Sequence, residues 1–249
     1  MHDTPADHRS SPQPPALSII MPLYNEEGAV VTSVEKNLLA IRSQGIDFEI
    51  LLVDDASVDR TPALMDELAT NEAEVRAFHR AANGGQGAAV RSGIAEARGV
   101  HVLVVPADCP VDAATLNRFA VAAPEADLIL GYRTERPGYT GLMRMNTRVY
   151  HWILRRVAGL SYRDVNGIHC YRRSIFNRIT LEFEGIAHYA EVVLKAHRLG
   201  MRIVEVPCPF PPRVAGTPSA GRFPVMARTG LDLLRLLWRD FTTREHEEI

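Results

Sequence analysis

The chain has 249 residues, 46% hydrophobic and 23% charged, with a net charge of −2. That composition excludes bulk disorder, and no apolar run approaches the roughly 20 residues that a membrane-crossing helix requires. The balance hides an asymmetry: residues 131–249 hold 18 Arg and 1 Lys against 3 Asp and 8 Glu, a net of +8, whereas residues 1–130 carry −10. The basic half is expected either to meet an anionic partner or to present solvated charges.

The first residues, MHDTPADHRSSPQPPA, have neither the basic nor the apolar region of a signal peptide, so residues 1–16 read as a disordered, Pro-rich leader. LSIIMPL at 17–23 reads as a buried strand, and apolar residues at helical spacing (Val31, Val34, Leu38, Ile41) place a helix over 28–43. FEILLV at 48–53 is a second buried strand running into Asp54 and Asp55. Thr61 and Pro62 start a helix as its cap and first residue. A weaker strand at 75–79 precedes the turn Asn83-Gly84-Gly85-Gln86-Gly87, which opens a helix to about residue 98. A strand at 100–105 is closed by Pro106-Ala107-Asp108, and a helix near 112–122 and a strand at 127–131 follow.

In the second half the pattern predicts a helix over 141–158, a turn and short strand within 164–172, a helix over 187–199, a strand at 201–206 and a Pro/Gly-rich loop at 207–221. A last helix, 222–241, carries Ala227, Leu231, Leu234, Trp238 and Phe241 on one stripe, with Arg228, Asp232, Arg235 and Arg239 off it. That stripe either packs on the sheet or lies on a membrane surface. With no repeat and no clear linker, residues 17–241 read as a single α/β domain with halves at 17–131 and 132–241 and a tail at 242–249.

Strands alternating with helices imply a mostly parallel sheet covered on both faces. Ligands of such sheets bind beyond the carboxyl ends of the strands. Tyr24-Asn25-Glu26, Asp54-Asp55, Gly84-Gly85 and Asp108 all fall at those ends. No GxGxxG follows the first strand, and there is no GxxxxGK[ST] and no GxSxG, which argues against a Rossmann dehydrogenase, a P-loop kinase and an α/β-hydrolase. The nine His and three Cys (Cys109, Cys170, Cys208) form neither a zinc pattern nor a disulfide framework, which points to a reducing cytoplasm.

The segments SIIMPLYNEE, EILLVDDASVDRT and NGGQGAAVRSGIAEARG resemble the opening of glycosyltransferase family 2, which has the GT-A fold. DVNGIHCYRRSIF and KAHRLGMRIVEVPCPFPPRVAG are similar to later segments of its dolichol- and polyprenyl-phosphate mannose synthase group, in family order over roughly residues 17–216. The resemblance implies that Pro22, Tyr24, Asn25, Glu26 and Asp54 wall the nucleotide of a nucleotide diphosphate sugar, such as GDP-mannose or a UDP-sugar. The alternative for Asn25, Glu26 and Asp54 is loop and helix capping, and Asp55, Ser57 and Asp59 are expected to order their loop. Gly84 and Gly85 either let the backbone approach the ligand or make a tight strand–helix connection. Where the family carries D-x-D-x-Q to hold Mg²⁺ or Mn²⁺, this chain has Pro106-Ala107-Asp108-Cys109-Pro110, so Asp108 alone is left for a weakened divalent-metal site beside Ala107.

Among later residues the resemblance assigns Arg133, Arg144, Arg148 and Arg213 to phosphate groups, and Asp164, Asn166, Gly167 and Glu191 to the acceptor side. Each Arg is otherwise a solvated charge, and Glu191 a structural ion pair. Pro218 and Ser219 replace the Ser and Lys of the family's R-x-x-G-x-S-K loop. The implied reaction is inverting transfer of a hexose to a polyprenyl phosphate at the inner membrane face, with Asp108, Arg213, Arg133 and Asp164 as catalytic candidates. A soluble acceptor would need a base, for which Asp164 and Glu191 are candidates. A catalytically silent nucleotide-sugar-binding subunit is the reading from another class. Nucleic-acid binding is not expected, for want of a groove-reading helix or an aromatic-studded strand.

Overall fold

The computed structural model describes residues 13–107, 110–135, 139–209 and 223–247, without the side chains of residues 142, 223–227 and 242–247. Asp108, Arg213, Pro218, Ser219, most of the leader and most of the 207–221 loop lie outside the described residues.

In chain order the elements are β1 (Leu17–Leu23), α1 (Val30–Arg42), β2 (Phe48–Asp54), α2 (Thr61–Asn71), β3 (Val75–His79), α3 (Gln86–Glu96) and β4 (His101–Val104). They continue with α4 (Ala113–Ala122), β5 (Leu128–Arg133), α5 (Gly141–Ala158), β6 (Ile168–Arg172), α6 (His188–Arg198), β7 (Ile203–Cys208) and α7 (Phe223–Glu247). All seven residues of β2 are buried, as a strand covered on both faces must be. Asp112 caps α4 by accepting from Thr115 N at 2.7 Å, and α5 runs from its cap Thr140 to a left-handed Gly159.

The strands form one sheet in the order β3-β2-β1-β4-β6-β5-β7. Alternate strand residues supply two cores. Ile20, Leu51, Val104 and Leu130 face α3, α5, α6 and α7, whereas Ile19, Met21, Leu52 and Leu103 face α1, α2 and α4. The acidic and basic halves share the sheet through the pairings of β4 with β6 and of β5 with β6 and β7.

Two features go beyond the sequence pattern. β6 runs antiparallel to both β4 and β5, within a sheet otherwise parallel. Thr61 is the first residue of α2 rather than its cap. Its N–H is accepted by Asp59 Oδ1 at 2.9 Å, and its hydroxyl accepts from Glu26 N at 2.8 Å, because the neighbouring loop has an N–H to satisfy.

Gly167, just before β6, sits where a Cβ would overlap the Gly131 carbonyl oxygen of β5. Gly167→Ala is therefore expected to lower stability by about 1–3 kcal/mol, read from the urea midpoint. An unchanged midpoint would mean that the two strands separate without cost.

Candidate functional site

The strand order reverses between β1 and β4: β2 and β3 extend the sheet on one side of β1, and the chain then returns to its other side. In open α/β sheets the crevice outside the strand ends at such a point receives ligands. Here it lies between the 24–27 loop after β1 and the segment after β4 that contains Ala107, which is itself buried.

The 24–27 loop is held against the loop after β2 by paired hydrogen bonds. Asn25 N donates to Ser57 Oγ and Asn25 Oδ1 accepts from Val58 N, both at 2.9 Å. Glu27 N donates to Asp59 Oδ2 at 3.2 Å, and Arg60 N donates to Glu27 Oε2 at 3.0 Å. Asn25 holds a positive φ of 54°, a conformation that Asn tolerates better than most residues. Pro22 is half-buried and Glu26 partly exposed, whereas Tyr24 presents 48% of its surface to solvent at the mouth of the crevice.

Behind this loop Asp54 is buried, with Oδ1 accepting from Ser57 N at 2.9 Å and Oδ2 at 3.4 Å from His79 Nδ1. Burial works against charge on His79, but Asp66 and Asp54 outweigh it and hold its pKa above the usual value. Asp55, also buried, accepts from Gly84 N and from Gly85 N, the latter at 2.6 Å, and pairs with Arg80. The next donors, Gly87 N and Ala88 N, go to the Glu184 carbonyl at 2.6 and 3.3 Å. The N–H groups of the three glycines are thus spent inside the protein, and a Cβ at Gly87 would run into the Phe183 carbonyl oxygen.

The antiparallel direction of β6 brings the residues before it to the carboxyl ends of β4 and β5. There Arg133, Asp164 and Asn166 meet. Arg133 Nε and Nη2 donate to the two oxygens of Asp164 at 2.7 and 2.9 Å, and Nη2 also to the Asn166 carbonyl at 3.0 Å. Nη1 donates to Tyr139 Oη at 2.9 Å. Asp164 is 1% exposed, and although burial disfavours the Arg133 charge, Asp164 raises its pKa above the ordinary guanidinium value. Tyr150 Oη donates to Asn166 Oδ1 at 3.2 Å, and His151 Nε2 accepts from Val165 N at 3.3 Å.

Glu191 is fully buried on α6 and accepts from Glu182 N, Phe183 N and Lys195 Nζ. It fixes the 182–184 loop, whose carbonyl in turn caps α3. Arg144 and Arg148 are exposed on α5, and neither is among the groups that bond Arg133 or Asp164.

Sequence reasoning passed over Tyr139, Tyr150, His151 and a buried aromatic group around Tyr189. His169 and His188 pack on Tyr189 with centroids at 4.9 and 4.1 Å, and Gln86 Nε2 donates to Tyr189 Oη at 3.1 Å. The available signal was His169 and Tyr171 two apart on a buried strand, which sets both on one face.

Among the described residues no three His, Cys, Asp or Glu gather so as to hold a metal ion. Asp54 and Asp55 are committed as above, so the described donors do not by themselves fit a divalent cation. Burial pulls His169 and His188 down to about 3 and about 4. The unfolded chain therefore takes up protons below pH about 6.5 that the folded chain refuses, and stability falls as pH drops from there toward 4. Urea midpoints should decline less steeply over that window in His169→Gln and His188→Gln. Equal slopes would show that these imidazoles do not resist protonation.

Residues 18–180 match the family described as Glycosyl transferase family 2. The undecaprenyl-phosphate mannosyltransferase of Micrococcus luteus is 31% identical over 79% of this chain and 84% of its own length. An undecaprenyl-phosphate 4-deoxy-4-formamido-L-arabinose transferase of Pectobacterium carotovorum is 28% identical over 64% of this chain, which spans only 53% of that protein. Glucosyl-3-phosphoglycerate synthase of Mycobacterium tuberculosis, solved with Mn²⁺, UDP and phosphoglyceric acid, shares the fold with a TM-score of 0.67 at 16% identity, covering 90% of this chain and 78% of that one. With its reversed strand order, acid-lined loops after β1 and β2 and matching family segment, the chain belongs to glycosyltransferase family 2 and has the GT-A fold.

Proposed function

We propose that the chain transfers a hexose from a nucleotide diphosphate sugar to a polyprenyl phosphate, with inversion at the anomeric carbon. The observation that carries this reading is the commitment of the buried carboxylates. A hydroxyl acceptor needs a general base, yet Asp164 is closed by Arg133 and Glu191 by two backbone N–H groups and Lys195. A phosphate monoester needs none, because with a second pKa of about 6 it is already largely ionised near pH 7. The polyprenyl-phosphate acceptors named for the relatives agree with that chemistry.

In this reading Tyr24, Asn25, Glu26 and Asp54 wall the nucleotide, with Pro22, Gly84, Gly85 and Ala107 as supporting backbone. Asp108 would hold a divalent cation together with diphosphate oxygens and water, and a bound cation would supply positive charge against the departing diphosphate. Arg213 adds a guanidinium for the same diphosphate. Arg133 acts as a positioning residue: it fixes Asp164, Asn166 and Gly167 at the acceptor side. Arg144 and Arg148 offer charge to the acceptor phosphate. What remains for the protein is alignment for in-line attack. Since the acceptor is a membrane lipid, the reaction takes place at a bilayer surface, the inner face being where nucleotide sugars are made.

Calorimetry with GDP and UDP, with and without Mg²⁺ or Mn²⁺, should show binding of one nucleotide that tightens with metal, and Asp108→Ala should lose the tightening. No binding of either under any condition would remove the donor site. Binding with neither transfer nor donor hydrolysis would identify a silent subunit instead. The transfer rate should rise through pH about 6 as the acceptor loses its second proton. A rate that follows an enzyme carboxylate, shifting in Asp164→Asn or Glu191→Gln, would restore a protein base.

A further inference from the structure

Exposed large apolar side chains such as Leu39 on α1, Val58 after β2 and Val121 on α4 stand singly, which is ordinary for a protein surface. On α5 and α7 they form rows. Met145, Val149 and Trp152 recur at four- and three-residue spacing along α5, with Trp152 62% exposed. Leu231, Leu234, Trp238 and Phe241 do the same along α7, with Trp238 69% exposed. The other sides of these helices are the packed ones: Leu154 and Ala158 of α5 join Leu233, Leu236 and Leu237 of α7 in a single core cluster. Both rows therefore look away from the same core. The two helices are tied together by Arg198, which donates to the Ala158 carbonyl and to Asp240 at 3.0 Å each. The α7 stripe that could have packed on the sheet is thus its outer face.

Charge decides what covers this face. Arg144, Arg148 and Arg155 run beside the α5 row and Arg156 extends it, and α5 contains no acid. None of the four makes an ion pair among the described residues. Arg228 and Arg239 flank the α7 row, reaching Glu184 and Glu182 while staying 62% exposed. The α7 arginines are offset by Glu182, Glu184 and Asp232, but the α5 arginines have no acid on their helix, so two copies of that face would repel each other whereas anionic headgroups would be attracted. A tryptophan in each row with arginines alongside is the composition of helices that lie in a membrane interface, indole at headgroup level and guanidinium snorkelling outward.

We propose that α5 and α7 together seat the protein on an anionic bilayer, a placement that rests on the reading of the acceptor as a lipid phosphate. Leu234 and Trp238 also line a cleft of about 800 Å³ whose far wall is the Glu182–Glu184 loop, so the seated face opens beside the loop that caps α3.

Flotation with phosphatidylcholine vesicles, with or without phosphatidylglycerol, tests this on the full chain. Partition should require phosphatidylglycerol, weaken with salt and blue-shift the tryptophan emission. Arg155→Gln/Arg156→Gln should weaken partition about 10- to 30-fold and Trp152→Ser/Trp238→Ser about tenfold. Nucleotide binding by calorimetry should be retained in both, showing that the variants fold. Equal partition to neutral vesicles, variants that bind as the parent does, or a lipid-free dimer broken by Trp238→Ser would overturn the proposal. Transfer to detergent-dispersed polyprenyl phosphate without vesicle binding would overturn it while leaving the acceptor reading intact. Arginine-dependent vesicle binding without any transfer to the lipid would sustain it and remove the acceptor reading.

Discussion

A carboxylate that is 1% exposed can stay charged only if something replaces its water, and for Asp164 that is the two-pronged grip of Arg133. The grip exists because β6 runs backwards. A parallel β6 would put Asp164 at the opposite edge of the sheet, away from the end of β5. One reversed strand thus brings a segment of the basic half to the edge where β1, β2 and β4 end. In the proposed reading the pair marks the acceptor side, and its two members, bonded to each other, position rather than react. A buried ion pair with both partners satisfied is a scaffold, and breaking it by removing one side would cost about 3–5 kcal/mol.

The same economy runs along the rest of that edge. Asp55 takes the N–H groups of Gly84 and Gly85, the Glu184 carbonyl takes those of Gly87 and Ala88, and Asn25 and Asp59 staple the loops after β1 and β2. Loops closed on themselves in this way are preorganised, so little ordering remains to oppose ligand binding. In the proposed reading a diphosphate near these glycines would be met by side-chain charge rather than by the N–H groups of Gly84, Gly85 and Gly87. This agrees with a chain that concentrates its arginines in the second half.

Much of this was legible in the amino-acid order. Residues 141–158 read as a helix and are one, because Thr140 caps it and Gly159 adopts the left-handed conformation that ends it. The strand-end acids were visible because buried apolar runs stop abruptly at Leu23 and Asp54. The direction of β6 was not legible, since a five-residue strand with four buried residues pairs equally well either way until β4 and β5 are in place. Nor was the packed side of α7. Leu231, Leu234 and Trp238 form one row and Leu233, Leu236 and Leu237 another, and periodicity alone does not say which row meets the core. The glycine turn was ambiguous for a similar reason: whether its N–H groups face a ligand or Asp55 depends on a contact some 30 residues away in sequence.

In the proposed reaction the acceptor brings its own negative charge, so that no protein base is required. The most direct test of this is a paired assay with one labelled nucleotide sugar, offering undecaprenyl phosphate in one arm and the dephosphorylated alcohol in the other. Labelled lipid should form from the phosphate and none from the alcohol. Comparable transfer to the alcohol, or to a soluble hydroxyl compound in place of either lipid, would contradict it.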